Sequence, residues 1–473
     1  MLYEKILDYA KRDVMPMHMP GHKRKAGLLP GGIPYNVDIS EIHGFDNLHA
    51  PAGVLKELSE KAASLYGGGH AHLLVNGSTG GVLAAISACV KPGDHVLIAR
   101  GCHKSVYNAC VLNRLKMVYI NKKGGLDTGI TGSVFPTEIE EALDEHPDIK
   151  LCVLTSPTYE GVVSDIGAIS EILHGKNIPL FVDGAHGAHL RFFDRGYDAA
   201  SSGADITVMS LHKTLPALTQ CALLHVREGL VSNEEIRRRL AVFETSSPSY
   251  VLLSSIDLCL SFLEERGNVF EVYKGVLAEF YLRMERLEKL KILRAGGADG
   301  QVFGMDAGKL VICTNGTALS GVSLMAVLRE KYGIELEMAG ACHAVAMTSV
   351  MDDAAGLTRF ADALLEIDGS LERVSGHAVH HEARLPRKIA EAHETVGVIG
   401  SFKALSESAG QVCLEYIWAY PPGIPLLTPG ELLEEGLIAD IRAFAEGGVN
   451  LMSDHGKIPR YVFCVGIDNF ANI

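Results

Sequence analysis

The chain has 473 residues, of which 47% are apolar and 21% are charged, so it is too long for one hydrophobic core and too apolar for a disordered protein. The formal net charge of -14 argues against a nucleic-acid partner and against binding to an anionic membrane surface, and it favours a small-molecule ligand. Ten cysteines without a C-x-x-C pair indicate free thiols rather than a disulfide framework or a zinc site.

The first predicted element is an N-terminal arm, residues 1–53, in which one short helix precedes a segment rich in Pro, Gly and His. Charged residues beside Met1 stand where a signal peptide would need an apolar core. No apolar run in the chain reaches the ~18 residues of a membrane span. We therefore expect a cytoplasmic protein.

A large domain is predicted next, at residues 54–265. Its helical stretches alternate with short apolar runs at residues 96–98, 151–154, 180–182, 206–209 and 222–224. Continuous apolar runs between helices are typical of a mainly parallel sheet covered on both faces, so the pattern predicts an α/β fold. Ligands of such sheets bind at the carboxyl ends of the strands.

Two smaller units are predicted after the large domain. Residues 254–290 have the pattern of one long amphipathic helix, and residues 302–372 mix strands with helices, which predicts a small α/β lobe at residues 266–374. A segment rich in His and charge then predicts a linker into a C-terminal domain at residues 375–473.

A lysine and an aspartate follow two of the apolar runs. Lys213 stands in Ser210-Leu211-His212-Lys213 after the run 206–209, and Asp183 follows the run 180–182. Pyridoxal phosphate (PLP) chemistry needs a lysine for the Schiff base and an acid that keeps the pyridine nitrogen protonated. Taken singly, Lys213 would be a solvated loop lysine and Asp183 a helix cap. Their combination at strand ends predicts a PLP site.

A phosphate group needs hydroxyls and free backbone N–H groups at a helix N-terminus. The loop at residues 76–81 precedes the helical run 82–90 and supplies such donors, although it would also serve as an ordinary N-cap. The candidate donors are Gly77, Ser78, Thr79, Ser210 and His212. The chain has neither G-x-G-x-x-G nor G-x-x-x-x-G-K-[ST], which argues against dinucleotides and nucleoside triphosphates.

His103 follows another apolar run, at residues 96–99, and would lie at the same edge of the sheet. An aromatic ring at this position would stack on the cofactor and would orient its plane, and a histidine would also move a proton. A lone histidine is otherwise a structural residue.

Seven motifs of the chain together resemble those of the bacterial ornithine/lysine/arginine decarboxylases. In chain order they are His18-x-Pro20-Gly21-His22-Lys23, Asn76-Gly77-Ser78-Thr79, His103-Lys104-Ser105, Asp183-x-Ala185-His186-Gly187, Ser210-x-His212-Lys213, Thr245-Ser246-Ser247-Pro248-Ser249-Tyr250 and Tyr420-Pro421-Pro422-Gly423-Ile424-Pro425. The resemblance implies the fold-type-I, aspartate-aminotransferase-like architecture. In this α/β fold a PLP-binding large domain with a mainly parallel seven-stranded sheet is joined to a small α/β lobe and a C-terminal α+β domain.

The same resemblance implies the roles of the site residues. Lys213 would bind PLP covalently, Asp183 would contact the pyridine nitrogen and His103 would stack on the ring. His186, in the motif of Asp183, is a further catalytic candidate and cofactor contact. Ser78, Thr79, Ser210 and His212 would hold the phosphate, with Gly77 in the same loop.

The implied reaction is the α-decarboxylation of lysine, arginine or ornithine to cadaverine, agmatine or putrescine and CO2. The implied assembly is a homodimer with a shared active site, in which Thr245 and Ser246 reach the phosphate pocket of the neighbouring subunit. Without the resemblance, residues 245–250 have the pattern of a Pro-containing loop before a helix.

Two departures from the family pattern restrict what the resemblance implies. The chain has no receiver-like N-terminal wing, so we do not expect the ring-shaped decamers of the long members. It also has Gly410-Gln411 where many relatives have Gly-Arg.

The residue that binds the substrate side chain is a separate question. Glu415, five residues before Tyr420, is the candidate partner of a cationic side chain, and a surface glutamate is the other interpretation. A guanidinium favours a bidentate carboxylate, whereas an ammonium needs one carboxylate and a carbonyl. The sequence leaves this choice open.

Other functions remain as alternatives. An aminotransferase or a β-eliminating lyase would use the same fold. Arg359 is available as the arginine with which an aminotransferase binds the substrate carboxylate. A catalytically silent binding protein is a more remote alternative. A metal hydrolase is disfavoured because the chain has no H-E-x-x-H.

Overall fold

The computed structural model describes residues 1–12, 34–120, 126, 128–295, 300–374, 385–419 and 424–470. The motif at residues 18–23 and the Tyr420-Pro421-Pro422-Gly423 part of the last motif lie outside the described residues. Within the described ranges, no helix is both long and apolar enough to cross a membrane.

The helices and strands follow each other in a pattern that changes from α/β to α+β along the chain. The helices are α1 (Leu2–Ala10), α2 (Val54–Leu65), α3 (Gly77–Cys89), α4 (Lys104–Leu112), α5 (Pro136–Glu145), α6 (Ile166–Gly175), α7 (Leu190–Phe193), α8 (Leu211–Thr214), α9 (Asn233–Phe243), α10 (Tyr250–Glu265), α11 (Val269–Met284), α12 (Gly321–Tyr332), α13 (Ala354–Ser370), α14 (Glu435–Glu446) and α15 (Ile467–Phe470). The strands are β1 (His70–Leu74), β2 (His95–Ile98), β3 (Lys116–Tyr119), β4 (Ile149–Thr155), β5 (Val162–Val163), β6 (Leu180–Asp183), β7 (Ile206–Ser210), β8 (Ala222–Val226), β9 (Lys291–Ile292), β10 (Gly304–Met305), β11 (Lys309–Cys313), β12 (Met338–Ala339), β13 (His343–Met347), β14 (Ser401–Ala404), β15 (Gln411–Cys413), β16 (Ile417–Ala419), β17 (Ile424–Leu427), β18 (Leu451–Ser453) and β19 (Tyr461–Gly466).

A seven-stranded sheet forms the centre of the large domain, with the strand order β1-β8-β7-β6-β4-β2-β3 among the described residues. The pairs from β7 to β3 are parallel, and β8 runs antiparallel to both β1 and β7. Because β6 and β7 are parallel neighbours, their carboxyl ends meet at one edge of the sheet. The predicted mainly parallel seven-stranded sheet is confirmed.

Successive side chains of the strands pack against helices on opposite faces of the sheet. Leu73 and Met209 belong to the apolar core that includes residues of α2 and α10. Leu74 and Val208 belong to the core on the other face, which includes residues of α3 and α4. Burial of both faces explains why these strands are continuous apolar runs in the sequence.

Helix α3 packs closely against the sheet at a glycine in its first turns. A Cβ atom on Gly81 would lie 2.6 Å from Leu74 Cδ1 and 3.0 Å from Val208 Cγ2. The helix begins at Gly77, whose φ is +78°. It therefore begins five residues before the predicted helical run, and Ser78 and Thr79 lie in its first turn.

The small lobe contains a four-stranded sheet in the order β12-β13-β11-β9, with α12 and α13. It is connected to the large domain by a pairing of β10 with β5, in which Gly304 opposes Val163. The single long helix predicted at residues 254–290 is wrong, because α10 ends at Glu265 and α11 begins at Val269. Gly267, which favours helix ends, lies in the break between them.

The C-terminal part contains two three-stranded sheets, β14-β19-β15 and β17-β16-β18, beside α14. Its core includes Ile417, Leu427, Ile441 and Val462. The predicted α+β class of this part is confirmed, while the domain boundaries after residues 53, 265 and 374 stay predictions.

A buried ion pair joins the C-terminal part to the large domain. Arg100 Nη1 lies 2.6 Å from Glu431 Oε1, and Arg100 Nη2 donates to Glu431 Oε2 (2.9 Å) and to the Leu426 carbonyl (3.0 Å). The Glu431 side chain is 0% exposed and also accepts from the Thr428 N–H. Burial alone would lower the pKa of Arg100, but the Glu431 carboxylate raises it. Both charges are therefore kept in the interior.

We expect Arg100→Met to lower the free energy of unfolding by about 3–5 kcal/mol, because the substitution leaves the Glu431 carboxylate buried without its partner. Denaturant unfolding of the purified protein measures this change. The matched control is Arg238→Met, which removes an exposed ion pair with Glu234 on α9 and is expected to cost less than about 1 kcal/mol. Equal losses in the two variants would contradict the assignment of Arg100 as a buried anchor.

Candidate active site

The lysine and the aspartate singled out in the sequence lie at the same edge of the sheet. Asp183 is the last residue of β6, and Lys213 lies in α8, which follows β7 directly. Lys213 Nζ is 2.9 Å from Nε2 of His186. The Asp183 carboxylate is close enough to raise the pKa of Lys213, although burial has the larger effect and lowers it. The strand ends therefore assemble a lysine, an aspartate and a histidine.

Asp183 has one oxygen available for a ligand. Asp183 is buried, with an exposure of 4%, and its Oδ1 accepts a hydrogen bond from the Ala185 N–H at 3.1 Å. Among the described residues, no protein donor contacts Oδ2. A carboxylate with one oxygen held by the backbone and the other open is suited to accept a hydrogen bond from a protonated ring nitrogen.

His103 caps α4 and has its ring oriented by the first turn of that helix. Its Nδ1 accepts from the Ser105 N–H (3.3 Å) and lies 2.8 Å from Ser105 Oγ. Burial lowers the pKa of His103, the Asp183 carboxylate opposes that shift, and Lys213 adds to it. The ring is therefore neutral and within electrostatic reach of both residues, which suits a stacking role.

The predicted phosphate site brings hydroxyls from two elements together. Ser78 Oγ in the first turn of α3 is 2.8 Å from Ser210 Oγ at the end of β7. Thr79, in the same turn, is exposed. Two hydroxyls beside the free N–H groups of a 13-residue helix fit an anionic phosphate ester.

His212 is less suited than the two serines to bind a phosphate in this site. Its Nδ1 lies 3.0 Å from the Cys221 carbonyl, so that nitrogen carries a proton and donates. Burial lowers the pKa of His212, which keeps the ring neutral and makes Nε2 an acceptor. The ring would donate to a phosphate only after the anion had raised that pKa.

The remaining predicted residues lie apart from this cluster within one chain. Thr245 and Ser246 are exposed after α9, and the Thr245 carbonyl accepts from His49 Nε2 at 3.0 Å. Their contribution to a neighbouring subunit stays a prediction. Arg359 contacts the carbonyl oxygens of Tyr332 and Gly333 at the end of α12, so its guanidinium is occupied by a helix C-terminus.

Glu415 is held in the core of the C-terminal part. Its side chain is 0% exposed, and its oxygens accept from the Phe463 N–H (2.6 Å) and from the N–H and ring of His455 (both 3.2 Å). These contacts indicate that Glu415 stabilises the C-terminal part. The predicted contact with a substrate side chain stays a prediction, and none of the described contacts of Glu415 supports it.

Sequence reasoning missed two residues that contact His186. Lys309, the first residue of β11 in the small lobe, is 1% exposed and places its Nζ 2.8 Å from His186 Nδ1. The Tyr159 ring lies 4.5 Å from the His186 ring, centroid to centroid, and its hydroxyl donates to Glu337. No motif marks Lys309, and the only signal in the sequence is a lysine at the start of an apolar run.

A second contact between the large domain and the small lobe lies beside the contact of Lys309 with His186. His189, three residues after His186, has its Nε2 at 3.1 Å from Asp306 Oδ1 in the interior. Burial would raise the pKa of Asp306, but the contact with His189 and the charge of Lys309 lower it overall. Asp306 is therefore a buried carboxylate that balances the positive charge of this region.

Burial shifts the pKa values of the basic groups in the cluster downward. Burial lowers the pKa of Lys309 to about 8 and keeps the pKa of His186 well below its ordinary value. The charges of Lys309 and Lys213 lower the pKa of His186 further. His186 is thus a neutral imidazole at physiological pH.

Glu244 is a buried acid that interacts with the backbone at the start of the predicted phosphate loop. Burial raises its pKa from 4.5 to about 7, while the backbone N–H groups of Val75 and Asn76 oppose the shift. Between these two pH values the folded protein holds a proton that the unfolded chain releases. The stability of the fold therefore decreases as the pH rises through this window, and the full cost is present above pH 7.

We expect Glu244→Gln to be more stable than the wild type above pH 7, by up to about 3 kcal/mol, because the amide carries no buried charge. The difference should grow from pH 4.5 to pH 7 and then stay constant. Unfolding free energies measured across this range test the expectation. The control is Glu140→Gln, a substitution at an exposed position of α5. A stability difference independent of pH would contradict the shifted titration of Glu244.

The sequence is similar to those of known decarboxylases. The family model described as Orn/Lys/Arg decarboxylase, major domain, matches residues 1–294. An arginine decarboxylase of Bacillus subtilis (strain 168) is 31% identical over 476 residues, covering 95% of this chain and 94% of the relative. An arginine decarboxylase of Halalkalibacterium halodurans is also 31% identical, with 95% and 94% covered.

Solved structures show the same fold at lower sequence identity. The Francisella novicida lysine decarboxylase LdcF superposes with a TM-score of 0.84 and 17% identity, covering 98% of this chain and 81% of its own. A pyridoxamine-pyruvate aminotransferase from Mesorhizobium loti superposes with a TM-score of 0.53 and 15% identity, covering 68% of this chain and 84% of its own. These structures share the fold of this chain. The chain belongs to the Orn/Lys/Arg decarboxylase family, whose members are PLP-dependent amino-acid decarboxylases.

Proposed function

We propose that this protein removes the α-carboxylate of a basic amino acid as CO2, and that arginine is the first of the three candidate substrates to test. The observation that carries the proposal is the convergence of Lys213, Asp183 and His103 at the carboxyl edge of the large sheet. The products would be agmatine from arginine, cadaverine from lysine or putrescine from ornithine.

The residues at this edge fit PLP. Lys213 would bind it covalently, the open oxygen of Asp183 would hold the ring nitrogen, and the neutral ring of His103 would lie against its face. Ser78 and Ser210 would bind the phosphate at the start of α3. When bound, PLP supplies an electron sink for the electron pair of the broken bond.

Asp183 contributes to the reaction by holding charge in a dry environment. A buried carboxylate fixed by the Ala185 N–H keeps a proton on the ring nitrogen without any reorganisation of water. Lys213 or His186 would provide the proton that must reach the α carbon after CO2 has left, since their nitrogens are 2.9 Å apart.

Two considerations support a cationic substrate. The carboxylates of Glu160 and Glu337 both act on the charge of Lys309, so acidic side chains lie within electrostatic reach of the cluster. In addition, several relatives of nearly full coverage are named arginine decarboxylase. The relatives' names are the reason to begin with arginine rather than lysine.

Arginine, lysine and ornithine should each be incubated with purified protein and PLP, and the products identified by mass spectrometry. We expect agmatine from arginine and no amine from Lys213→Ala, because that variant has no amine to bind the cofactor. Protein that binds PLP through Lys213 but releases no amine from any of the three would contradict the proposed substrate class.

Asp183→Asn should bind PLP with little change and lose roughly 100-fold or more of the turnover rate, because an amide does not hold the ring nitrogen in its charged form. Cofactor occupancy and kcat are measured on the same preparation. The control is Asp144→Asn on an exposed position of α5, which should keep both. Wild-type kcat in Asp183→Asn would remove Asp183 from the site.

A further inference from the structure

Tyr159 connects the cluster around Lys213 to a carboxylate of the small lobe. It follows β4, a parallel neighbour of β6, so it leaves the sheet at the edge that carries the site. Its ring centroid is 4.5 Å from that of His186 and 6.0 Å from Lys213 Nζ. Its hydroxyl donates to Glu337 Oε1. Glu337 is therefore an acid that stands one phenol ring away from Lys213.

The distance from Lys213 to Glu337 is compatible with the length of a basic amino acid. With a phenol oxygen about 3 Å from its ring centroid and a hydrogen bond of about 3 Å, the Glu337 carboxylate lies within about 12 Å of Lys213 Nζ. The α carbon of a substrate must lie beside Lys213. An extended arginine side chain spans about 6 Å from that carbon to the guanidinium carbon, and contacts of about 3 Å at both ends extend this reach to about 12 Å.

Within the part of the chain that the structure describes, no cationic side chain forms an ion pair with Glu337. Its carboxylate is held by the neutral Tyr159 hydroxyl. By contrast, Glu335, two residues earlier, accepts from Arg329 through both of its oxygens. A carboxylate accepts up to four hydrogen bonds, so the Tyr159 contact leaves room on Glu337 for a guanidinium or an ammonium group.

The backbone of Glu337 is fixed by the sheet of the small lobe. Its N–H donates to the Val345 carbonyl of β13 at 3.0 Å, directly before the pairing of β12 with β13. Its neighbours Leu336 and Met338 are buried, whereas Glu337 is exposed. This alternation is typical of an extended segment with one buried face, and it leaves the carboxylate accessible to a ligand.

Glu160 is the other acid of this region, and it acts on a different group. Its charge opposes the effect of burial on the pKa of Lys309, which is 1% exposed. The carboxylates that oppose the effect of burial on the pKa of Lys213 are those of Asp183 and Glu337. Because Asp183 is assigned to the cofactor ring, Glu337 is the acid that remains for the substrate.

We propose that Glu337 binds the cationic end of the substrate side chain and thereby determines the preference for a basic amino acid, with Tyr159 holding its carboxylate in place. A guanidinium would occupy the lone pairs that the Tyr159 hydroxyl leaves open. This inference rests on the proposed function, and it gives Glu337 the role that the sequence predicted for Glu415.

Steady-state kinetics of the PLP-loaded protein separate binding of the side chain from the chemistry. Glu337→Gln keeps an acceptor for the Tyr159 hydroxyl and removes the charge. We expect its KM for arginine to rise about 10- to 100-fold with kcat changed less than about threefold, because a charged hydrogen bond made equally in ground and transition states is lost. The preference for arginine over citrulline, its uncharged isostere, should fall by the same factor. Glu335→Gln is the matched control and should keep wild-type values.

Three outcomes would overturn the assignment of Glu337. One is an unchanged KM and an unchanged preference over citrulline in Glu337→Gln. Another is a rise in KM that occurs in Glu160→Gln and not in Glu337→Gln, which would place the cation at Glu160. A third is a fall in kcat with KM unchanged, which would show that Glu337 acts on the chemistry instead of on the side chain.

Binding of agmatine to the PLP-loaded protein gives a readout that needs no turnover. Calorimetry should show about tenfold weaker binding to Glu337→Gln than to the wild type and to Glu335→Gln. Equal binding to all three proteins would overturn the role of Glu337, while amine release by the wild type would keep the proposed function. A wild type that releases no amine from any basic amino acid, yet binds agmatine through Glu337, would remove the proposed function and keep the cation site.

Discussion

The burial of two lysines around one imidazole is the constraint on which the arrangement of the site depends. An ammonium group in a protein interior loses its hydration, and two of them separated by a single ring also repel each other. The structure limits this cost by placing carboxylates such as Asp306 around Lys309 and by lowering the pKa of both lysines. Lys309 is the more deeply buried of the two, and the charge of Lys213 also acts on it, so its pKa falls to about 8.

This constraint connects the two lobes. His186 and His189 belong to the segment after β6 in the large domain, while Lys309 and Asp306 belong to the small lobe. The pairing of β10 with β5 holds these segments together at the backbone level. A displacement of the small lobe would therefore change the hydrogen bonds of His186, which also contacts Lys213. The geometry of the site at the edge of the large sheet therefore depends on the position of the small lobe.

The sequence predicted the part of the site that follows from local pattern. Lys213, Asp183 and His103 were found because each follows an apolar run, and runs of that kind become parallel strands whose ends converge. Lys309 was not found, because its contact with His186 spans 123 positions and no local period encodes it. Glu415 was chosen by charge alone, and the pattern does not tell a carboxylate that binds backbone N–H groups in a core from one that faces a ligand. The break at Gly267 shows the same limit, since amphipathic periodicity continues across a helix end.

The protonation state of the cluster also bears on the choice of substrate. A basic amino acid brings a cationic side chain, and a site that already contained two ammonium groups and an imidazolium would repel it. With His186 neutral, the positive charge of the cluster is that of its two lysines, and the carboxylates of Asp183, Asp306, Glu160 and Glu337 act on them. These carboxylates lower the electrostatic barrier that the lysines would present to a cationic side chain.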